Sequence, residues 1–70
     1  MKYRSKPDIL ASILRAVMDE SMSGVTAYRI MFKADISFRQ SEEYLGMLVR
    51  GRLLEYDGTT RVYRITERGL

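Results

Sequence analysis

The spacing of apolar residues changes period once along this chain, at Gly51. Upstream of it, apolar residues recur every three or four positions. Downstream they sit in two short runs separated by a polar stretch that opens with Asp57-Gly58. A period near 3.6 presents one stripe of a helix, and a period of two presents one face of a strand. The chain therefore places its helices first and a strand pair last. Its 70 residues hold one domain, 1–70, with one core. A chain this short buries only about 60% of the surface that its unfolded form exposes, so every apolar stripe has to be used.

Three helices are predicted. Ser5-Lys6-Pro7-Asp8 combines a cap, a first-turn proline and an acidic third position. Ile9, Leu10, Ile13, Leu14, Val17 and Met18 follow as the buried face of a helix over residues 6–19. Asp19 to Gly24 reads as a loop, and Val25 as a short extended piece. Thr26 caps a second helix over 27–34, with Ile30, Met31 and Ala34 buried. Two turns of helix are too short to be stable without packing. Ala34-Asp35-Ile36 is a tight turn. Ser37 and Gln40 form the capping box of a third helix over 37–50, ended by Gly51. Tyr44, Leu45, Leu48 and Val49 belong to its buried face. Arg39, Gln40, Glu43, Met47 and Arg50 belong to the other.

Residues 53–56 read as a strand, Asp57-Gly58 as a hairpin signal, and residues 61–65 as a second strand rich in β-branched and aromatic residues. Tyr63 and Ile65 point to one face, Val62 and Arg64 to the other. Thr66 has the character of a further helix cap. The order helix, helix, tight turn, helix, hairpin is that of a winged helix-turn-helix domain. The predicted fold class is α+β, three helices followed by a two-stranded β-hairpin wing, with a short third strand near Val25.

Composition narrows the function. Cysteine and histidine are both absent, which removes thiolate and imidazole chemistry, the commonest acid–base group and the commonest metal ligand. The carboxylate pairs Asp19–Glu20 and Glu42–Glu43 are sequence neighbours, which on a helix do not converge on one site. The glycines are scattered, so no phosphate-cradling loop exists. No catalytic residue, metal or cofactor is expected, and no small-molecule ligand is evident. No apolar run approaches the roughly 20 residues of a membrane span, and no signal sequence is apparent; a cytoplasmic protein is expected.

The formal charge is +3. Over residues 47–70 five arginines face three carboxylates, whereas residues 25–46 carry three charges of each sign. A basic balance points to an anionic partner, and in a helix-turn-helix that partner is double-stranded DNA. The second helix of the motif fits the major groove, and its N-terminal residues meet base edges.

Ser37, Arg39, Gln40 and Glu43 are the groove-facing candidates. Arg39 suits guanine and Gln40 adenine; alternatively Arg39 is solvated and Gln40 only closes the capping box. Ser37 is the cap, and the N–H groups around it suit a phosphate. Glu43 can accept from cytosine or simply face water, and with Glu42 it repels the backbone. On the wing, 53–65, Thr59, Thr60, Arg61 and Arg64 lie at or just beyond the tip, and short polar residues with arginine charge of one sign suit phosphate or a narrow minor groove; alternatively the charge only blocks edge pairing of an exposed hairpin. Tyr28, Arg29 and Lys33 lie on or near the second helix, the first two placed for phosphate contact. Lys2, Tyr3, Arg4 and Lys6 form a basic arm that reads more readily as a frayed terminus.

The run Arg29-Ile30-Met31-Phe32-Lys33-Ala34-Asp35-Ile36-Ser37-Phe38, with Gln40, Tyr44-Leu45, Leu48, Gly51, Leu53-Leu54 and Tyr63-Arg64-Ile65-Thr66-Glu67-Arg68-Gly69, resembles small archaeal winged-helix DNA-binding proteins. These include transcriptional regulators and dimeric chromatin-associated proteins with a C-terminal helix. The resemblance covers about residues 8–69. It implies DNA binding through the third helix and the wing, and a homodimer. Ser41 stands where the family commonly places a core leucine, which implies looser packing of that helix.

A DNA-binding transcriptional regulator is therefore the leading expectation. A protein–protein interaction adaptor on the same fold is the alternative, suggested by the balanced middle, Glu42, Glu43 and an exposed Met47.

Overall fold

The computed structural model describes residues 5–20 and 24–68. Three α-helices, α1 (Lys6–Asp19), α2 (Ala27–Ala34) and α3 (Phe38–Arg50), precede an antiparallel pair, β1 (Leu54–Asp57) and β2 (Val62–Ile65). Each helix begins at its predicted cap. Ser5, Thr26 and Ser37 accept from the backbone N–H three residues on. Gln40 Oε1 returns the bond from the Ser37 amide at 3.1 Å, completing the capping box. These local bonds satisfy amide groups that the helical ladder cannot.

The core gathers Ile9, Ile13 and Val17 of α1, Val25 of the linker, Ile30 and Ala34 of α2, Ile36 of the turn, Tyr44, Leu45 and Leu48 of α3, and Leu54 of β1. The α1 stripe runs through Ile9, Ile13, Ala16 and Val17, so Met18 is turned outward and is 55% exposed, contrary to its expected burial. Met47 departs in the opposite sense. It lies at the rim of the buried arc of α3, one turn beyond Tyr44, and packs against the core. A flexible thioether suits such a rim position. Ser41 is buried within this core, and its hydroxyl donates to the Phe38 carbonyl at 2.7 Å. The polar atom thus enters the core with its partner supplied one turn back in the same helix.

Val25 forms the third extended piece. It exchanges both backbone hydrogen bonds with Tyr63, at 3.0 and 2.7 Å, so β2 lies between Val25 and β1. The preceding residue has to be glycine. Gly24 has φ +105°, and a Cβ there would stand 2.6 Å from Val62 Cγ2. Both conformation and space exclude a side chain. This contact ties the wing to the linker between α1 and α2.

The hairpin forms where expected, with each strand one residue shorter or shifted. Asp57 pairs with Val62, leaving a four-residue loop, Gly58 to Arg61, in which Arg61 takes the left-handed conformation (φ 60°). Asp57 Oδ1 accepts from the amides of Thr59 (2.9 Å) and Thr60 (3.4 Å), which holds the loop in shape. At the end of α3, Gly51 is right-handed and Arg52 (φ 63°) takes the left-handed position that glycine usually fills. Thr66 does not begin a helix. Its hydroxyl donates to the carbonyls of Arg52 and Leu53, and its amide donates to Leu53, which fastens the end of the hairpin to its start.

Candidate nucleic-acid interface

Helices α2 and α3, with the turn 35–37 between them, form a helix-turn-helix. Asp35 closes α2 in the left-handed conformation (φ 57°), which an aspartate tolerates well. Ser37 starts α3 two residues later. The buried side of α3 holds Ser41, Tyr44, Leu45 and Leu48. At 3.6 residues per turn the opposite side is the stripe Arg39, Glu43, Gly46 and Arg50, spaced by four, three and four.

The basic residues near this motif divide into two groups. On α2, Lys33 Nζ lies 2.8 Å from Glu20 Oε2, and Arg29 Nε lies 3.4 Å from Glu20 Oε1. Lys33 first, then Arg29, holds the Glu20 carboxyl below its ordinary range. Both cations are thereby tied to the end of α1. On the wing, Arg64 lies 3.5 Å from Asp57 Oδ2. The charge beside the tip is therefore mixed in sign, because Asp57 is folded into the turn. Its carboxyl is also held below the ordinary range, chiefly by the Thr59 and Thr60 amides. By contrast, Arg39, Arg50 and Arg61 are exposed and make no ion pair with a described residue.

The other candidates fall into place around this division. Gln40 closes the capping box, and a bidentate adenine contact would require it to release the Ser37 amide. Ser37 is engaged as the cap. Glu43 lies on the outward stripe, and Glu42 is exposed on the flank of α3. Thr59 and Thr60 are exposed on the wing loop, beside Arg61. Tyr28 is exposed at the start of α2, with Arg29 beside it and Lys33 one turn further on. Of the basic arm, Lys2, Tyr3 and Arg4 lie outside the described residues, and Lys6 opens α1.

Two features of the surface were not among the contact candidates read from sequence. Arg50 completes the outward stripe of α3, a position that the spacing from Arg39 and Glu43 does encode. Phe32 and Phe38 are 86% and 63% exposed, and with Tyr28 they give the helix-turn-helix an aromatic surface. Only the absence of a facing element reveals that exposure. No described helix is long and apolar enough to cross a membrane.

The helix-turn-helix, the hairpin against α3 and the Val25 bridge agree with a family match that spans residues 3–70. The chain belongs to the winged helix-turn-helix family. Among solved structures, this winged helix is similar to Sso10a-2, a DNA-binding protein from Sulfolobus solfataricus. The two share 26% sequence identity with a TM-score of 0.78, over 94% of this chain and 67% of that one. Comparison with curated protein sequences finds no match.

Proposed function

We propose that this winged helix binds double-stranded DNA and acts as a transcriptional regulator. In this reading α3, with its cap at Ser37, enters the major groove, and the wing lies on the backbone or in the minor groove. The observation that carries it is that three exposed arginines in no ion pair with a described residue stand on the surfaces a helix-turn-helix and its wing present. Arg39 and Arg50 stand on the outward stripe of α3, and Arg61 on the wing loop. The likeness to a protein described as DNA-binding supports the same reading. Arg39 addresses base edges near the start of the helix, and Arg61 with Thr59 and Thr60 addresses phosphates or the minor groove. Tyr28, and Arg29 and Lys33 once released from Glu20, set the register on the backbone. No catalytic step belongs to this function.

The reading extends to an archaeal, cytoplasmic protein that works as a homodimer. Two copies would address a near-palindromic site with half-sites roughly 10 base pairs apart. The test is fluorescence anisotropy with a random-sequence duplex at about 50 and 200 mM salt, a range over which phosphate-driven affinity falls steeply. Binding that weakens strongly with salt supports the reading. Absence of binding at the lower salt contradicts it.

One observation favours a second reading, a protein–protein adaptor. Phe32, at 86% exposure, lies one turn from Tyr28 on α2, where an apolar contact with another protein would cover it. A salt-insensitive protein partner, together with no affinity for duplex DNA, would select that reading.

A further inference from the structure

Gly46 sits in the interior of α3 on its outward stripe. A helix interior disfavours glycine more than any residue except proline. Nothing in the backbone calls for it, since Gly46 has ordinary helical geometry and no positive φ. Nor is it pressed against another element. A Cβ at this position would meet Arg50, with Nη1 at 3.2 Å and Cζ and Nη2 both at 3.9 Å. The guanidinium of Arg50 therefore lies back along the helix, over the notch that the missing side chain leaves. Helical side chains lean toward the N-terminus, so a residue one turn later is the one able to fill such a notch.

The consequence is positional. Arg50 belongs to the last turn of α3. Folded over Gly46, its charge is brought to the level of residue 46. At 1.5 Å per residue that level is about 10 Å along the axis from Arg39. With bases stacked about 3.4 Å apart, the two arginines span roughly three base steps. Neither forms an ion pair with a described residue, and Glu43 stands on the stripe between them.

We infer that Arg50 is a second base-reading residue of α3, directed at a guanine edge in the major groove, and that Gly46 is the positioning residue that holds it there. The inference rests on the DNA-binding reading above and adds to it a residue pair and a class of contact. A bidentate arginine–guanine contact depends on the orientation of a planar guanidinium. A methyl group in the notch would stand 3.2 Å from Nη1, so the guanidinium would have to shift by a few tenths of an ångström from the position it holds over Gly46. The fold itself would gain, because the displaced atoms are the free end of a flexible side chain and alanine is the better helix former.

The test begins by selecting a preferred duplex from a randomised pool with the wild-type domain. Affinities for this duplex and a scrambled one are then measured for wild type, Gly46→Ala, Arg50→Ala and the double variant, with a thermal melt of each. Arg50→Ala should lose about tenfold or more on the selected duplex and much less on the scrambled one. Gly46→Ala should melt higher by about 4 °C or more and yet lose most of the same discrimination. The double variant should be no worse in binding than Arg50→Ala alone, because the glycine acts through the arginine.

Wild-type affinity in Gly46→Ala overturns the inference. So do losses that add in the double variant, or an Arg50→Ala loss of equal size on both duplexes, which marks a phosphate contact. A wild-type domain that binds duplexes without preference overturns the base contact but leaves DNA binding standing. One that binds no duplex overturns both.

Discussion

The two helices of the helix-turn-helix handle positive charge differently. On α2, Arg29 and Lys33 converge on Glu20 at the end of α1. On α3, Arg39 and Arg50 stand on the outward stripe and form no ion pair with a described carboxylate, Glu43 on the same stripe included. The difference follows from packing. The α2 cations lie at the junction with α1, where one carboxylate can serve both, whereas the outward stripe of α3 faces no other described element. The count of basic residues thus overstates the charge available to a partner. An exposed ion pair is weak, because solvent screens it and two long side chains must be held in one geometry, so the pairing is a bias on availability rather than a lock. The wing repeats the division within one hairpin, with Arg64 engaged by Asp57 and Arg61 in no ion pair with a described residue.

The largest effect that could break this comparison is on affinity. Replacing Arg39 by alanine should cost about 1–3 kcal/mol of duplex binding, read by anisotropy at low salt, whereas replacing Arg29 should cost distinctly less. Equal losses would mean that the Glu20 pairing does not matter to the partner.

A matched pair of substitutions sharpens the comparison next. Arg52 and Arg61 both hold left-handed backbone, one at the end of α3 and one on the wing loop. Glycine at either position should stabilise the fold by about 1 kcal/mol, measured by denaturant titration. Arg61→Gly should also weaken DNA binding, and Arg52→Gly should leave it unchanged. A wing arginine that can be lost without cost in binding would remove Arg61 from the interface.

Acid should loosen the engaged residues selectively. Glu20 and Asp57 have carboxyls held below their ordinary range, so their contribution to stability is complete above about pH 5. It is lost as the pH falls through their lowered folded-state values. A melting temperature that declines over that interval, and declines less in a Glu20→Gln variant, is the expected result.

The smallest effect is on binding in that same variant. Glu20→Gln frees Arg29 and Lys33 at neutral pH and should raise duplex affinity by a factor of about two to three, in keeping with the modest worth of surface pairs. Unchanged affinity would place both residues away from the DNA.

How much of this was legible in the sequence depended on the range of the forces involved. Ser5, Thr26 and Ser37 act on amides three residues away, so the helix starts could be read directly. The alternation over β2 and the extended character of Val25 were likewise local. The hairpin loop was not. Asp57-Gly58 marked its place, but the Asp57 carboxylate organises a longer loop and the left-handed residue is Arg61 rather than the glycine. Gly51 marked the end of α3 in the same way, while Arg52 took the left-handed conformation.

At the candidate site, the face of α3 followed from helical spacing, whereas the pairing of Arg29 and Lys33 with Glu20 depends on how α1 meets α2. Met18 and Met47 exchanged their expected environments for a related reason. Spacing defines an arc, but its rims are decided by the neighbouring element.

The most direct test of the central division is an amide chemical-shift titration of the isotopically labelled domain with duplex DNA. The expected result is a perturbed set centred on the first turns of α3, the residues around Gly46 and Arg50, and the wing loop from Gly58 to Arg61, with smaller shifts at Tyr28, Arg29 and Lys33. The outer face of α1, around Ala11 and Arg15, should stay silent. Perturbation centred on Phe32 and the α2 surface, with α3 and the wing unmoved, would contradict the account.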